Sequence, residues 1–65
     1  MKIFVNGEEK EVRADNLSAL LKELDYEGEW LATAVNAELV TTEERQRYQL
    51  KIGDKIEILS PMQGG

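Results

Sequence analysis

The sequence predicts an α+β domain: a mixed sheet of about five strands, one main helix packed on one face, and a short helical turn. Three observations carry this. Ile3 and Val5 near the start, and Ile56 and Ile58 near the end, alternate with polar or outward residues, the period of a strand with one buried face. Leu17, Leu20, Leu21 and Leu24 recur at helical spacing and form one apolar stripe. Asn6-Gly7 follows the first alternating run, and this pair favours a two-residue hairpin because a type I′ turn needs positive φ at both centres.

Taken in order, residues 2–6 form the first strand, with Ile3 and Val5 on one face and Lys2 and Phe4 on the other. Residues 8–13 form the return strand. Val12 is its only large apolar residue, and so charged a strand suits a sheet edge. Asp15 or Asn16 supplies the oxygen that caps the helix, Lys22, Glu23 and Asp25 lie off its leucine stripe, and Gly28 ends it. Residues 30–36 read as a strand, Asn36-Ala37 as a turn, and residues 38–40 as a short partner strand. Thr41 and Glu44 have capping-box spacing and open a helical turn running to Tyr48. Leu50 and Ile52 are assigned to the core, Gly53-Asp54 to a turn, and residues 55–60 to the last strand. This order fits the β-grasp architecture, in which the first and last strands lie parallel at the centre of the sheet.

Composition removes several classes of function. Sixty-five residues make one small domain with little room for an internal active-site cavity. There is no Cys and no His, hence no thiolate, no disulfide and none of the commonest metal ligand or proton shuttle. Ser18 and Ser60 have no His to activate them. The chain is therefore expected not to be an enzyme and to bind no metal or cofactor. With thirteen acidic against eight basic side chains, the net charge is −5. That sign disfavours nucleic acid and anionic membrane as partners. The start lacks a signal-peptide pattern and no apolar run approaches a bilayer span, so the expected location is cytoplasmic.

The chemistry is expected at the other end. The last strand runs into Pro61, Met62, Gln63, Gly64 and Gly65. At average glycine usage a terminal pair arises by chance in about 0.5% of chains. Residues 1–60 are expected to form the folded domain and residues 61–65 a flexible tail. Pro61 cannot donate a ladder hydrogen bond and ends the strand. Five extended residues reach about 17 Å, at roughly 3.3 Å each, enough for the tail to enter a partner's site.

Val5-Asn6-Gly7-Glu8, Ala34-Val35-Asn36, Glu38-Leu39-Val40, and above all Gly53-Asp54-Lys55-Ile56-Glu57-Ile58-Leu59 leading to Met62-Gln63-Gly64-Gly65 resemble the sulfur carriers of bacterial thiamin-thiazole biosynthesis (ThiS), a ubiquitin-like family. The resemblance covers nearly the whole chain. Ala37 departs from it, where the family often has Gly, with an effect expected on turn geometry alone. The resemblance implies that a ThiF-like adenylyltransferase activates the Gly65 carboxylate with ATP, which the partner binds. A persulfide donor, a cysteine desulfurase or rhodanese-type protein, then converts it to a thiocarboxylate. Thiazole synthase (ThiG) takes the sulfur. Gly64, Gln63, Met62 and Pro61 thread into the partners' sites.

The residues suit that chemistry. An α-carboxylate is ionised at neutral pH and resists attack at carbon until adenylation makes its oxygen a leaving group. Glycine, without Cβ, passes a narrow channel and leaves the acyl carbon open. Period two also assigns a docking face. If Ile56 and Ile58 point at the helix, Glu57 and Leu59 point away, and Phe4 joins Leu59 on the uncovered side. Three other readings stay open: a carrier like the small subunit of molybdopterin synthase, a ubiquitin-like modifier of lysines, and a structural β-grasp interaction module.

Overall fold

The computed structural model describes residues 1–26 and 31–60. Their elements are β1 (Lys2–Val5), β2 (Glu8–Glu11), α1 (Leu17–Glu23), β3 (Ala32–Val35), β4 (Glu38–Val40), a 3-10 helix (Thr42–Glu44) and β5 (Lys55–Leu59). The sheet runs β2-β1-β5-β3-β4. Only β1 and β5 are parallel, and they sit together inside the sheet. This is the expected β-grasp arrangement; β4 has its expected bounds, and the other four strands are a little shorter than the stretches assigned to them.

Asn6 and Gly7 have φ of 50° and 86°, so the first hairpin closes through the left-handed turn that its right-twisted strands need. β2 buries none of its four residues and occupies an edge of the sheet. Just past it, Val12 N–H donates to Met1 O at 2.8 Å and the Met1 ammonium donates to Val12 O at 2.6 Å. These bonds carry the pairing one step further and drop Val12 into the core.

Of the two candidate caps for α1, Asn16 is the one used; its side-chain oxygen accepts from Ala19 N–H at 2.7 Å. The helix stops at Glu23, well before Gly28, which lies outside the described residues. Its end is a Schellman closure: Tyr26 N–H donates to Leu21 O at 2.8 Å and Asp25 N–H to Lys22 O at 3.1 Å. Asp25, at φ 64°, takes the left-handed position expected of a glycine. The Glu23 carboxylate then accepts from Arg13 N–H and Ala14 N–H, at 3.1 and 2.9 Å, and ties the helix end to the link that follows β2.

The core is a single cluster. Ile3, Val5, Ile56 and Ile58 come from the two central strands, Leu17, Leu20 and Leu21 from α1, and Val35, Val40 and Leu50 from the far side. Leu24, at the helix end, is only partly buried against it. The 3-10 helix is shorter than the expected turn, although bonds from Arg47 N–H to Glu44 O and from Tyr48 N–H to Arg45 O prolong its path. Glu44 accepts from Thr41 N–H at 3.1 Å, one half of the capping box.

One core assignment changes. Ile52 is not in the core; it is 78% exposed. Lys51 N–H donates to Asp54 Oδ2 at 2.8 Å and Asp54 N–H to Lys51 O at 3.0 Å, closing a tight turn with Ile52 at its tip and Gly53 at φ 85°. A charged residue just after the 3-10 helix, Arg45, is also buried, its Nε donating to Thr33 Oγ1 at 3.1 Å and its Nη2 to Leu31 O at 2.6 Å.

Candidate functional site

β5 is the element that leads to the chain end, and it is gripped from both sides. Its antiparallel register with β3 pairs Ala32 with Leu59, Thr33 with Ile58, Ala34 with Glu57 and Val35 with Ile56. On the other side β1 pairs Phe4 with Lys55 and Val5 with Ile56. Ile56 and Ile58 are buried, while Lys55, Glu57 and Leu59 are exposed, as the period-two reading requires. Ser60, half-buried, is the last described residue. Pro61, Met62, Gln63, Gly64 and Gly65 lie outside the described residues.

The uncovered face carries the docking candidates, arranged differently from the expectation. Phe4 and Leu59 both point outward, at 36% and 69% exposure, yet they are not neighbours. The register sets Phe4 beside Lys55, and Leu59 lies four residues further on, about 13 Å at roughly 3.3 Å per residue. Glu57 stands between them. Phe4 and Glu57 share an open groove of about 640 Å³ with Lys55 and the two hairpin turns, at Gly7 and at Asn36 and Ala37.

Leu59 has other company. Its partner across the ladder is Ala32, on β3, and the next outward residue of β3, Ala34, pairs with Leu39 of β4. Opposed residues share a face, so Leu59, Ala32, Ala34 and Leu39 form an apolar strip beside Glu57. Leu39 is 73% exposed and was missing from the candidates. The signal was in the sequence: in Glu38-Leu39-Val40, an inward Val40 sends Leu39 outward.

Among the described residues, no group of three or more acidic side chains is placed to hold a metal ion. No described helix is long and apolar enough to cross a membrane.

Comparison with known proteins decides the family. The ThiS family model matches residues 3–65, a stretch that includes the diglycine. The chain belongs to the ThiS family. Among solved structures it is similar to the crystal structure of a thiamine biosynthesis protein (ThiS) from Geobacter metallireducens, with a TM-score of 0.83, 32% identity and full coverage of both chains. It is also similar to an NMR solution structure of a thiamine biosynthesis protein from Geobacter metallireducens, with a TM-score of 0.82, 30% identity and coverage of 100% of this chain and 88% of the other. Curated protein sequences gave no match. The family match accounts for the β-grasp order and for the motif that runs from Gly53 to the chain end. It also bears on the Asn36-Ala37 turn, where Ala37 holds φ 72°, a left-handed conformation that glycine adopts without strain.

Proposed function

We propose that this ThiS-family chain is the sulfur carrier of thiamin-thiazole biosynthesis and that Gly65 is the residue that carries the sulfur. The observation that supports this most is the family match, which extends through Gly64 and Gly65 on a domain whose inner strand β5 points its chain toward that end. The chain acts as a protein cosubstrate, and its partners supply the catalysis.

In this reading the Gly65 carboxylate attacks ATP on a ThiF-like adenylyltransferase, pyrophosphate leaves, and the acyl carbon becomes open to sulfur. The persulfide of a cysteine desulfurase or rhodanese-type donor then attacks that carbon and AMP leaves, giving an acyl disulfide. A second thiol cleaves its S–S bond, releasing the thiocarboxylate and leaving the donor sulfur in a disulfide with that thiol. The thiocarboxylate presents sulfur as a better nucleophile than a carboxylate oxygen, and thiazole synthase consumes it. Pro61, Met62, Gln63 and Gly64 span the distance from the folded body to the partner's reacting centre. Leu59 and Phe4, with Glu57 between them and Leu39 beside Leu59, face the partner. Acidic side chains such as Glu57 steer basic surfaces toward this face.

The test is adenylation. The purified chain, incubated with a ThiF-like enzyme and labelled pyrophosphate, should support exchange of label into ATP. A chain whose terminus is capped as an amide should not. Exchange with the capped chain would contradict the proposal. Co-purification with an enzyme of pterin sulfuration in place of thiazole synthase would move the carrier to a different acceptor.

A further inference from the structure

β5 outlasts its neighbour. Backbone bonds run from Phe4 N–H to Asp54 O at 2.9 Å and from Asn6 N–H to Ile56 O at 2.8 Å. The chain then turns back at Asn6-Gly7, while β5 continues to Leu59. The next rung on that side belongs to Ile58, and no β1 backbone remains to make it. The Asn6 side chain makes it instead. Its Oδ1 accepts from Ile58 N–H at 2.9 Å and its Nδ2 donates to Ile58 O at 3.2 Å. A carboxamide carries the same donor and acceptor as a peptide group, so one side chain prolongs the parallel ladder by a step.

The second hairpin does the same at the start of β5. Asn36 N–H donates to Lys55 O at 2.7 Å, and Asn36 Oδ1 accepts from Lys55 N–H at 3.0 Å. Its Nδ2 donates to Asp54 Oδ1 at 3.0 Å. Both asparagines hold a left-handed turn position, at φ 50° and 52°, which Asn tolerates better than most residues. Turn geometry alone accepts Asp or Gly there as well. Only Asn supplies both halves of the Ile58 rung. Asp would keep the acceptor and turn a second oxygen toward the Ile58 carbonyl, and Gly would keep neither.

We propose that Asn6 is a positioning residue for the carrier terminus. It fixes the last described rung on the β1 side of β5, two residues before Ser60, and with the β3 ladder on the other side sets the direction in which the chain leaves the body toward a partner's reacting centre. Asn36 grips the opposite end of the same strand and has no such effect. This rests on the sulfur-carrier reading above.

The experiment compares wild type, Asn6→Gly, Asn6→Asp and Asn36→Gly as substrates of a ThiF-like adenylyltransferase, at a temperature where circular dichroism shows each folded. Initial rates of ATP-dependent adenylation give kcat and KM separately, and amide exchange reports the Ile58 N–H. The expected result is faster exchange at Ile58 in Asn6→Gly, which loses the acceptor, and a smaller increase in Asn6→Asp, which keeps it but sets a carboxylate oxygen against the Ile58 carbonyl. Their kcat should fall about tenfold or more, since small misplacements of a reacting group cost up to about a hundredfold, with KM little changed because the docking face is intact. Asn36→Gly should keep wild-type kcat. Unchanged kcat in the Asn6 variants, or an equal fall in Asn36→Gly, would overturn the positioning role and leave the carrier reading standing. No adenylation of the wild type would overturn both.

Discussion

The buried guanidinium of Arg45 lets the cost of one polar contact set be worked from the structure. Its Nη2 bonds the Leu31 carbonyl at 2.6 Å, where the chain enters β3, and its Nε bonds the Thr33 hydroxyl at 3.1 Å. Thr33 in turn donates to Val40 O at 2.9 Å, so the set joins the segment after the 3-10 helix to both β3 and β4. Arg45→Ala removes two charge-assisted bonds, each contributing about 1.5–3 kcal/mol, and leaves the Leu31 carbonyl without its partner. Relief from burying a charge offsets part of this. The net loss expected is about 3 kcal/mol, a large share of the roughly 3–10 kcal/mol that about 0.05–0.15 kcal/mol per residue gives for such a chain. At about 4–8 °C per kcal/mol for a domain of this size, Tm should fall by about 12–24 °C. Arg45→Met keeps most of the stem packing and should cost less, about 1–2 kcal/mol, chiefly from the unpaired carbonyl. Urea and thermal unfolding followed by far-ultraviolet circular dichroism measure both. If Arg45→Ala costs under about 1 kcal/mol, or Arg45→Met matches the wild type, the polar contacts do not hold this side of the sheet and the reasoning fails.

Other perturbations test the tail, the face and the turn. Gly65→Val should leave Tm unchanged and abolish sulfur loading, because a branched side chain crowds the acyl carbon; thiocarboxylate at wild-type yield by mass spectrometry would refute this. Leu59→Asp should weaken binding to the adenylyltransferase by about 1–2 kcal/mol without unfolding the domain, and Leu39→Asp should do the same if the apolar strip is the contact. Unchanged affinity in calorimetry for both would discard the strip. Ala37→Gly should stabilise the fold by about 0.5–1 kcal/mol, as relief of a left-handed non-glycine residue outweighs the added freedom of the unfolded chain. A lower urea midpoint would contradict that.

Period two and the Asn6-Gly7 pair made the strands and the first hairpin legible, because each strand buries one face and a one-residue slip would reverse it. The leucine stripe made α1 legible, but not its end. A Schellman closure needs one residue in the left-handed region, and Asp25 filled that role ahead of Gly28. Ile52 was misassigned and the burial of Arg45 was not foreseen for the same reason: side-chain polarity does not reveal which residue a turn pushes to its tip or which carbonyl needs a donor. The candidate face was half legible. Alternation fixed which way Phe4, Glu57 and Leu59 point, but two registers decide their neighbours: the parallel β1–β5 register sets Phe4 beside Lys55, and the antiparallel β3–β5 register sets Leu59 beside Ala32. Leu39 was within reach of the same alternation.

In the proposed function, sulfur travels on the main-chain acyl group of Gly65. Intact-mass analysis of the protein from cells actively making thiamin, followed by fragmentation of the C-terminal peptide, tests it most directly. A fraction of molecules should be heavier by the exchange of one oxygen for one sulfur, with the increment confined to Gly65. The same increment on another residue, or its absence when thiazole synthase is removed and loaded carrier should accumulate, would contradict it.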